Sequence, residues 1–239
     1  MMPDFNIRST QAEMMDDFSL GHNTIDPIMD ELEVVNKLLG GYRVFFNALS
    51  RLNIRDQMII SDWGCGGGDS LRVIAHWARK KKLSIQLVGV DATASAIEYA
   101  RQKSKAYPEI SYILADVMSD ELKNDQFDIV ISSLFTHHFE NQSWKKLICK
   151  MLACSKTAVI INDLHRHWFA YYSIGLITKL FSKSEMVKHD SQLSVLRSFK
   201  RADLIKLLQE ADIKTYSVRW MWAFRWQIII PNPAIPQRK

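Results

Sequence analysis

The chain has 239 residues, enough for one domain with an appendage and a full hydrophobic core. Apolar residues make up 47% and charged residues 24%, which excludes the disordered and fibrous classes. The net charge of +5 is a mild excess; its densest runs are Arg79–Lys82, at the end of a predicted helix where cations suit the macrodipole, and Lys200–Arg201, so no nucleic-acid footprint is expected.

Residues 1–10 carry Asp4 and no apolar core, which does not read as a signal peptide. Residues 11–52 are helical in pattern. Asp26-Pro27 reads as a helix cap followed by proline at the first helical position. Ile28, Leu32, Val35, Leu38 and Leu39 then recur on one face until Gly40-Gly41 breaks the run, and Tyr42–Leu52 resumes it. Residues 1–55 are therefore expected to form a helical N-terminal cap.

From residue 56 short apolar runs alternate with helical stretches. Strands are predicted over Met58–Trp63, Ile85–Val90, Ser111–Leu114, Phe127–Ser133 and Thr157–Asn162. Helices are predicted over Ser70–Lys81, Ala94–Lys105 and Trp144–Cys154. Apolar strands alternating with helices predict an α/β fold with a parallel sheet covered on both faces. An aromatic, histidine-containing insertion at 164–200 interrupts the pattern, with a helix over Trp168–Phe181 read as a lid. That run falls short of the about 20 residues that a membrane span needs, though its apolar stripe also suits shallow peripheral contact with a membrane. Helix Arg201–Ala211 follows. The runs Lys214–Trp222 and Arg225–Ile230, with no helix between them, must pair antiparallel. The predicted whole is a doubly wound, mostly parallel seven-stranded sheet with an antiparallel closing strand, over residues 56–230, and a frayed proline-containing tail at 231–239.

The first strand runs into Asp62-Trp63-Gly64-Cys65-Gly66-Gly67-Gly68-Asp69. A dinucleotide fingerprint needs glycine at 64, 66 and 69, and position 69 is Asp, which would repel a pyrophosphate. No Gly-Lys-Ser/Thr follows, so a phosphate loop is excluded. S-adenosylmethionine carries an ammonium and a sulfonium and no phosphate, and an acidic loop suits it. Asp91, ending the second strand, can accept bidentate hydrogen bonds from ribose hydroxyls. Asp116, after the third, can accept one from the adenine amino group.

With these residues the chain resembles the class I S-adenosylmethionine-dependent methyltransferases, over about residues 58–163 and more weakly to 230. The resemblance implies a Rossmann-like fold and a cofactor site at Asp62, Gly64, Cys65, Gly66 and Asp69, at Asp91 and Ala92, at Asp116 and Val117, and at Ser133 and Leu134. Arg43 is a candidate partner for the cofactor's methionine carboxylate. The segment Leu134-Phe135-Thr136-His137-His138-Phe139 is similar to the small-molecule branch that includes the quinone-biosynthesis C-methyltransferases. Asp163-Leu164-x-Arg166, His189-Asp190 and Ser194–Phe199 resemble a bacterial subgroup associated with polyketide and pigment biosynthesis.

The Asn/Asp-Pro-Pro-Tyr/Phe motif of amino-methyltransferases is missing after the fourth strand, which reads Ser132-Ser133-Leu134-Phe135, and no cysteine follows a proline. Five of the seven histidines fall between 137 and 189. A phenol acceptor profits from a base with pKa near neutrality, so His138 and His189 are candidate bases, with Arg166 and Arg197 as acceptor-binding candidates. His165 and His167 are expected in the substrate zone. Asp163, His165 and His189 lack a compact ligand motif, so no metal is expected. The three cysteines, Cys65, Cys149 and Cys154, form no disulfide framework and point to a reduced, cytoplasmic setting. The expected activity is methyl transfer to oxygen or carbon of a small, apolar or aromatic acceptor. The competing readings are an RNA or protein methyltransferase, a cofactor-binding module without catalysis and, third, a dehydrogenase.

Overall fold

In the computed structural model residues 3–17 and 21–232 are described; the expected tail lies, from 233 onward, outside them. Seven strands form one sheet: β1 (Ile59–Trp63), β2 (Gln86–Asp91), β3 (Ile110–Leu114), β4 (Phe127–Ser133), β5 (Ser155–Leu164), β6 (Ser217–Met221) and β7 (Arg225–Pro231). Their spatial order is β3-β2-β1-β4-β5-β7-β6. The first five are parallel, and β7 runs antiparallel between β5 and β6. This is the doubly wound sheet that the alternating pattern predicts.

Side chains alternate across the sheet with period two, so each central strand feeds two cores. Ile60, Leu87, Ile129, Ile131, Ile160 and Ile229 pack with helices α2 (Arg43–Leu49), α3 (Asp69–Lys80) and α4 (Ala94–Lys103). Trp63, Val90, Val130, Val159, Ile161 and Ile228 face the opposite way, onto α5 (Asn141–Cys154) and α8 (Arg201–Glu210). The sheet is covered on both faces, which is why its strands read as nearly continuous apolar runs.

Two readings of the sequence are corrected. Helix α1 spans His22–Leu38, so Pro27 lies inside it and does not open it. The insertion holds two helices: α6 (Trp168–Phe181), as expected, and α7 (Glu185–Arg197), a second helix that the sequence reading lacks and that carries His189-Asp190. Helix α7 buries Asp190 and Arg197 beside Val187, Leu193 and Val195, and such a mixed face carries no apolar periodicity for a sequence reading to find.

The N-terminal segment crosses the carboxyl ends of the strands. Arg8 lies over the Phe199 ring at 4.1 Å and donates to the carbonyls of Arg197 (2.8 Å), His137 and Phe139 (3.1 Å each). Asp190 accepts from the backbone of Met14 and Met15 at 3.0 and 2.9 Å. These contacts pin residues 8–15 against α7 and the end of β4.

Candidate active site at the switch point of the sheet

The strand order reverses between β1 and β4, and a cavity of about 1090 Å³ opens beyond their carboxyl ends. The glycine loop forms one wall. Gly64, Gly66 and Gly68 all have positive φ, of 68°, 48° and 72°. At Gly64 a Cβ would stand 2.2 Å from the Phe135 ring, so only glycine fits between that ring and the turn.

Loop and second strand are tied together by Asp91. Its Oδ2 accepts from Gly66 N and its Oδ1 from Thr93 N, each at 2.9 Å. Each oxygen keeps a lone pair for a ligand hydroxyl. Asp62 is buried and among the residues lining the cavity, and its Oδ1 has no hydrogen-bond partner among the described residues. Burial, with Asp69 and Asp91 nearby, pushes the Asp62 carboxyl well above the usual range. An incoming ammonium would relieve that penalty by pairing with it. Asp69 opens α3 as its first residue, after the N-cap Gly68, which makes no side-chain capping bond. Asp69 Oδ2 accepts from Tyr42 Oη at 2.7 Å and Asn36 Nδ2 at 3.1 Å. Asp116, exposed at the end of β3, accepts from Met118 N at 2.8 Å. Leu134, at φ 52°, turns the chain out of β4 and donates its N–H to Asn162 O at 2.8 Å.

Asp62, Gly64, Cys65, Gly66, Asp69, Asp91, Ala92, Asp116, Val117, Ser133 and Leu134 thus all line one cavity. Acids at one end, a glycine cradle and an orphaned carboxylate fit an amino-acid nucleoside such as S-adenosylmethionine. Arg43 is not among the lining residues. It is exposed on a separate concavity shared with Gly40 and Trp222. The arginine that does line the cavity is Arg225, at the head of β7. Its guanidinium donates to Asn36 Oδ1 at 3.0 Å and Asn162 Oδ1 at 3.4 Å, and its buried Nε has no partner among the described residues.

The acceptor-side candidates separate. His138 lines the cavity, with its Nδ1 2.6 Å from Asp16 Oδ1. Arg197 lies behind it, holding Asp16 Oδ2 and His138 O at 2.6 Å each. Burial opposes ionisation of Asp16, but His138 and Arg197 outweigh it and hold its carboxyl below the usual range. His189 is half-exposed, paired with Asp190 at 2.8 Å, and away from the cavity. Arg166 is corrected outright. It is 1% exposed, it donates to the carbonyls of Phe5, Asn6 and Ser198, and it pairs with Asp203 at 2.8 Å. It ties the N-terminal segment to the start of α8 and has no face on the cavity. Nor do His165 and His167 line it: His165 packs on Trp226 with ring centroids 4.8 Å apart, and His167 caps α6 by accepting from Phe169 N. Asp163, His165 and His189 are not gathered into one group.

Sequence reasoning passed over Glu13 and His137. His137 is 2% exposed and lines the cavity; its Nδ1 lies 2.6 Å from Asp163 Oδ1 and its Nε2 3.5 Å from Glu13 Oε1. Burial lowers the His137 pKa, but Asp163 and Glu13 outweigh it and raise it to about 9. Only the placement of His137 directly after the fourth strand hinted at this role. Glu13 reaches it from 124 positions upstream, and no local pattern records such a contact.

Comparison with known proteins agrees with this geometry. Residues 60–158 match a methyltransferase-domain family. A carboxy-S-adenosyl-L-methionine synthase from Campylobacter jejuni subsp. doylei is 24% identical over 181 residues, 69% of this chain and 72% of that protein. The fold is shared with an S-adenosylmethionine-dependent methyltransferase from Aquifex aeolicus at TM-score 0.57 and 13% identity, over 78% of this chain and 88% of that one. It is also shared with magnesium protoporphyrin IX methyltransferase from Synechocystis, solved with bound SAH, at TM-score 0.51 and 16% identity, over 93% and 89%. The protein is an S-adenosylmethionine-dependent methyltransferase of the class I fold. The family match spans residues 60–158, and the N-terminal segment, α6, α7 and β7 line further walls of the cavity.

Proposed function

We propose that the enzyme methylates an oxygen or carbon of a small, apolar or aromatic acceptor. The observation that carries this reading is the far wall of the cavity. Beyond the glycine loop it is made by Phe169, Ile174 and Ile177 of α6, by Val187 and Val195 of α7, and by Phe135 and Phe139, with the polar group Glu13, His137 and His138 set among them. Such a wall fits an apolar ring with one acidic hydroxyl or carbon.

The bound cofactor supplies a methyl group on a positively charged sulfur. Helices α6 and α7, read as a lid at 164–200, exclude water and align the acceptor with that methyl. The acceptor's proton passes to the imidazole of His138, which Asp16 orients through Nδ1. Asp62 holds the cofactor's ammonium, Asp91 its ribose and Asp116 its adenine side. Arg225 takes the carboxylate role expected of Arg43.

The Campylobacter relative is named for a cofactor bearing an extra carboxylate. Seven other acids line this cavity besides Glu13 (Asp16, Glu33, Asp62, Asp69, Asp91, Asp116 and Asp190) against a single arginine, which speaks against accommodating that additional negative charge.

On α6, Trp168, Tyr172, Leu176, Leu180 and Phe181 are exposed, and so is Trp222, which also lines the cavity. No helix among the described residues is long and apolar enough to cross a membrane. Shallow seating of this face at a lipid surface would deliver a lipid-dissolved acceptor. The deciding experiment offers methyl-labelled S-adenosylmethionine with hydroxylated aromatics and quinols of increasing chain length. We expect label on a small acceptor and its loss in His138→Gln with cofactor affinity kept. Label appearing only on RNA or protein from a lysate would overturn the reading.

A further inference from the structure

The structure assigns a divalent transition-metal site to Glu13, His137 and His138. Among the described residues, this is the one group of three metal-ligating side chains whose ligand atoms converge, all within 4.8 Å of one another. Both imidazoles turn Nε2 toward Glu13, at 3.5 Å from Oε1 for His137 and 4.0 Å from Oε2 for His138. Ligand atoms about 2.1 Å from a shared ion, tetrahedrally placed, lie roughly 3.4 Å apart. Small torsions of Glu13 and of the partly exposed His138 bring the three to that spacing.

Two further observations point to a ligand between them. Glu13 Oε1 and His137 Nε2 are both buried and, among the described residues, without a hydrogen-bond partner, although they face each other. A pair meant only to satisfy itself would close to hydrogen-bonding distance. The other nitrogen of each ring is held by its own carboxylate, His137 Nδ1 by Asp163 and His138 Nδ1 by Asp16, at 2.6 Å in both cases. A carboxylate behind each histidine fixes the ring and the tautomer that presents Nε2, which is how metal-binding histidines are supported. Ser194 Oγ donates to Glu13 Oε2 at 2.9 Å, leaving Oε1 as the free ligand atom. Arg197 Nε, 3.8 Å from Glu13 Oε1, is the one competing cation recorded at this carboxylate besides the histidines.

Two imidazoles and one carboxylate select a borderline ion such as Zn²⁺, Fe²⁺ or Co²⁺ over Mg²⁺ or Ca²⁺. Three protein ligands leave coordination positions open toward the cavity, where a hydroxyl or carboxylate oxygen of the acceptor can bind. The ion would then fix the acceptor's polar end while α6 and α7 fix its apolar body. With His138 Nε2 coordinated, a hydroxyl bound to the ion is acidified and loses its proton to solvent, in place of the transfer to His138 described for the metal-free site. Metal binding itself does not depend on the acceptor reading, because it can be measured with neither acceptor nor cofactor present.

The test titrates metal-free protein with Co²⁺, followed by visible absorption, and with Zn²⁺, followed by calorimetry. We expect one equivalent bound, at least ten-fold weaker binding in Glu13→Gln and in His138→Gln, and about ten-fold weaker binding in Asp163→Asn. His76→Gln, on the exposed side of α3, should bind as wild type. Circular dichroism and SAH affinity monitor folding, and His138→Gln, at a part-exposed site, guards against loss of the fold in the others. The absence of stoichiometric binding by wild type, or unchanged affinity in folded Glu13→Gln and His138→Gln, would overturn the assignment.

Discussion

Tyr42 donates its phenolic hydrogen to Asp69 across 2.7 Å, and this bond fastens the N-terminal helices to the glycine loop. Tyr42 is buried and Asp69 half-buried, and burial together with Asp69 pushes the Tyr42 hydroxyl far above its ordinary pKa. Tyr42→Phe leaves Asp69 with Asn36 alone. A hydrogen bond to a charged group contributes about 1.5–3 kcal/mol, so the variant should be less stable by that order in urea unfolding and bind SAH more weakly. Wild-type values for both would show that the bond carries neither function.

Arg225 and Arg43 make opposite predictions for the cofactor's carboxylate. Arg43→Ala should leave SAH affinity unchanged. Arg225→Met should weaken SAH about ten-fold or more, while 5′-methylthioadenosine, which lacks the amino-acid portion, binds both proteins alike. Equal weakening of the two ligands by Arg225→Met would mean that the arginine supports only the fold.

Arg166 joins three backbone carbonyls and Asp203 from a fully buried position. Breaking one side of a buried ion pair typically costs about 3–5 kcal/mol. Because Asp203 keeps some access to water, Arg166→Met should lose about 3 kcal/mol. The expected signature is a lowered Tm with KM for the acceptor unchanged at a temperature where the variant is folded. A raised KM in a fully stable variant would return Arg166 to the acceptor site.

Burial, reinforced by His167, Arg166 and Lys200, lowers the His165 pKa from 6.5 to about 4. The unfolded chain therefore binds more protons at this position than the folded one between those values. The contribution is fully present above pH 6.5 and is lost as pH falls toward 4. The ring packs on Trp226 and its Nδ1 has no partner, so His165→Phe is tolerated. Thermal melts from pH 7 to pH 4 should show a shallower acid decline in the variant; identical slopes would exclude a neutral, buried His165.

The sheet was legible because its signal is local. Strand β4 and helix α6 occupy the expected residues, Phe127–Ser133 and Trp168–Phe181, since a buried strand is a continuous apolar run and α6 is apolar but for Ser173, Thr178 and Lys179. The convergence of the cofactor-side candidates, Arg43 excepted, on one cavity was equally readable: they sit at strand ends, where topology alone brings them together. The acceptor side was not. Glu13 and Asp16 reach His137 and His138 through a segment held by Arg8 and by Asp190, contacts between distant parts of the chain. Pro27 misled the placement of α1, because proline favours a helix's first turn but does not forbid a later one. Arg166 looked functional for its place after β5, whereas its side chain turns toward the N-terminal segment.

Strand β7 has a bearing on synthesis. The ribosome releases β1 to β5 and the whole glycine loop before residues 225–231 emerge. Until then the Ala158–Ile161 stretch of β5, buried in the finished protein, borders an unpaired edge with free N–H and C=O groups. Such an edge is a template for pairing with other chains. A nascent or truncated chain is therefore sticky for as long as it lacks its last strand. The same strand brings Arg225 to the cavity, so sealing the sheet and completing the cofactor pocket are one event, and quality control that recognises open edges would also screen out proteins unable to hold their cofactor.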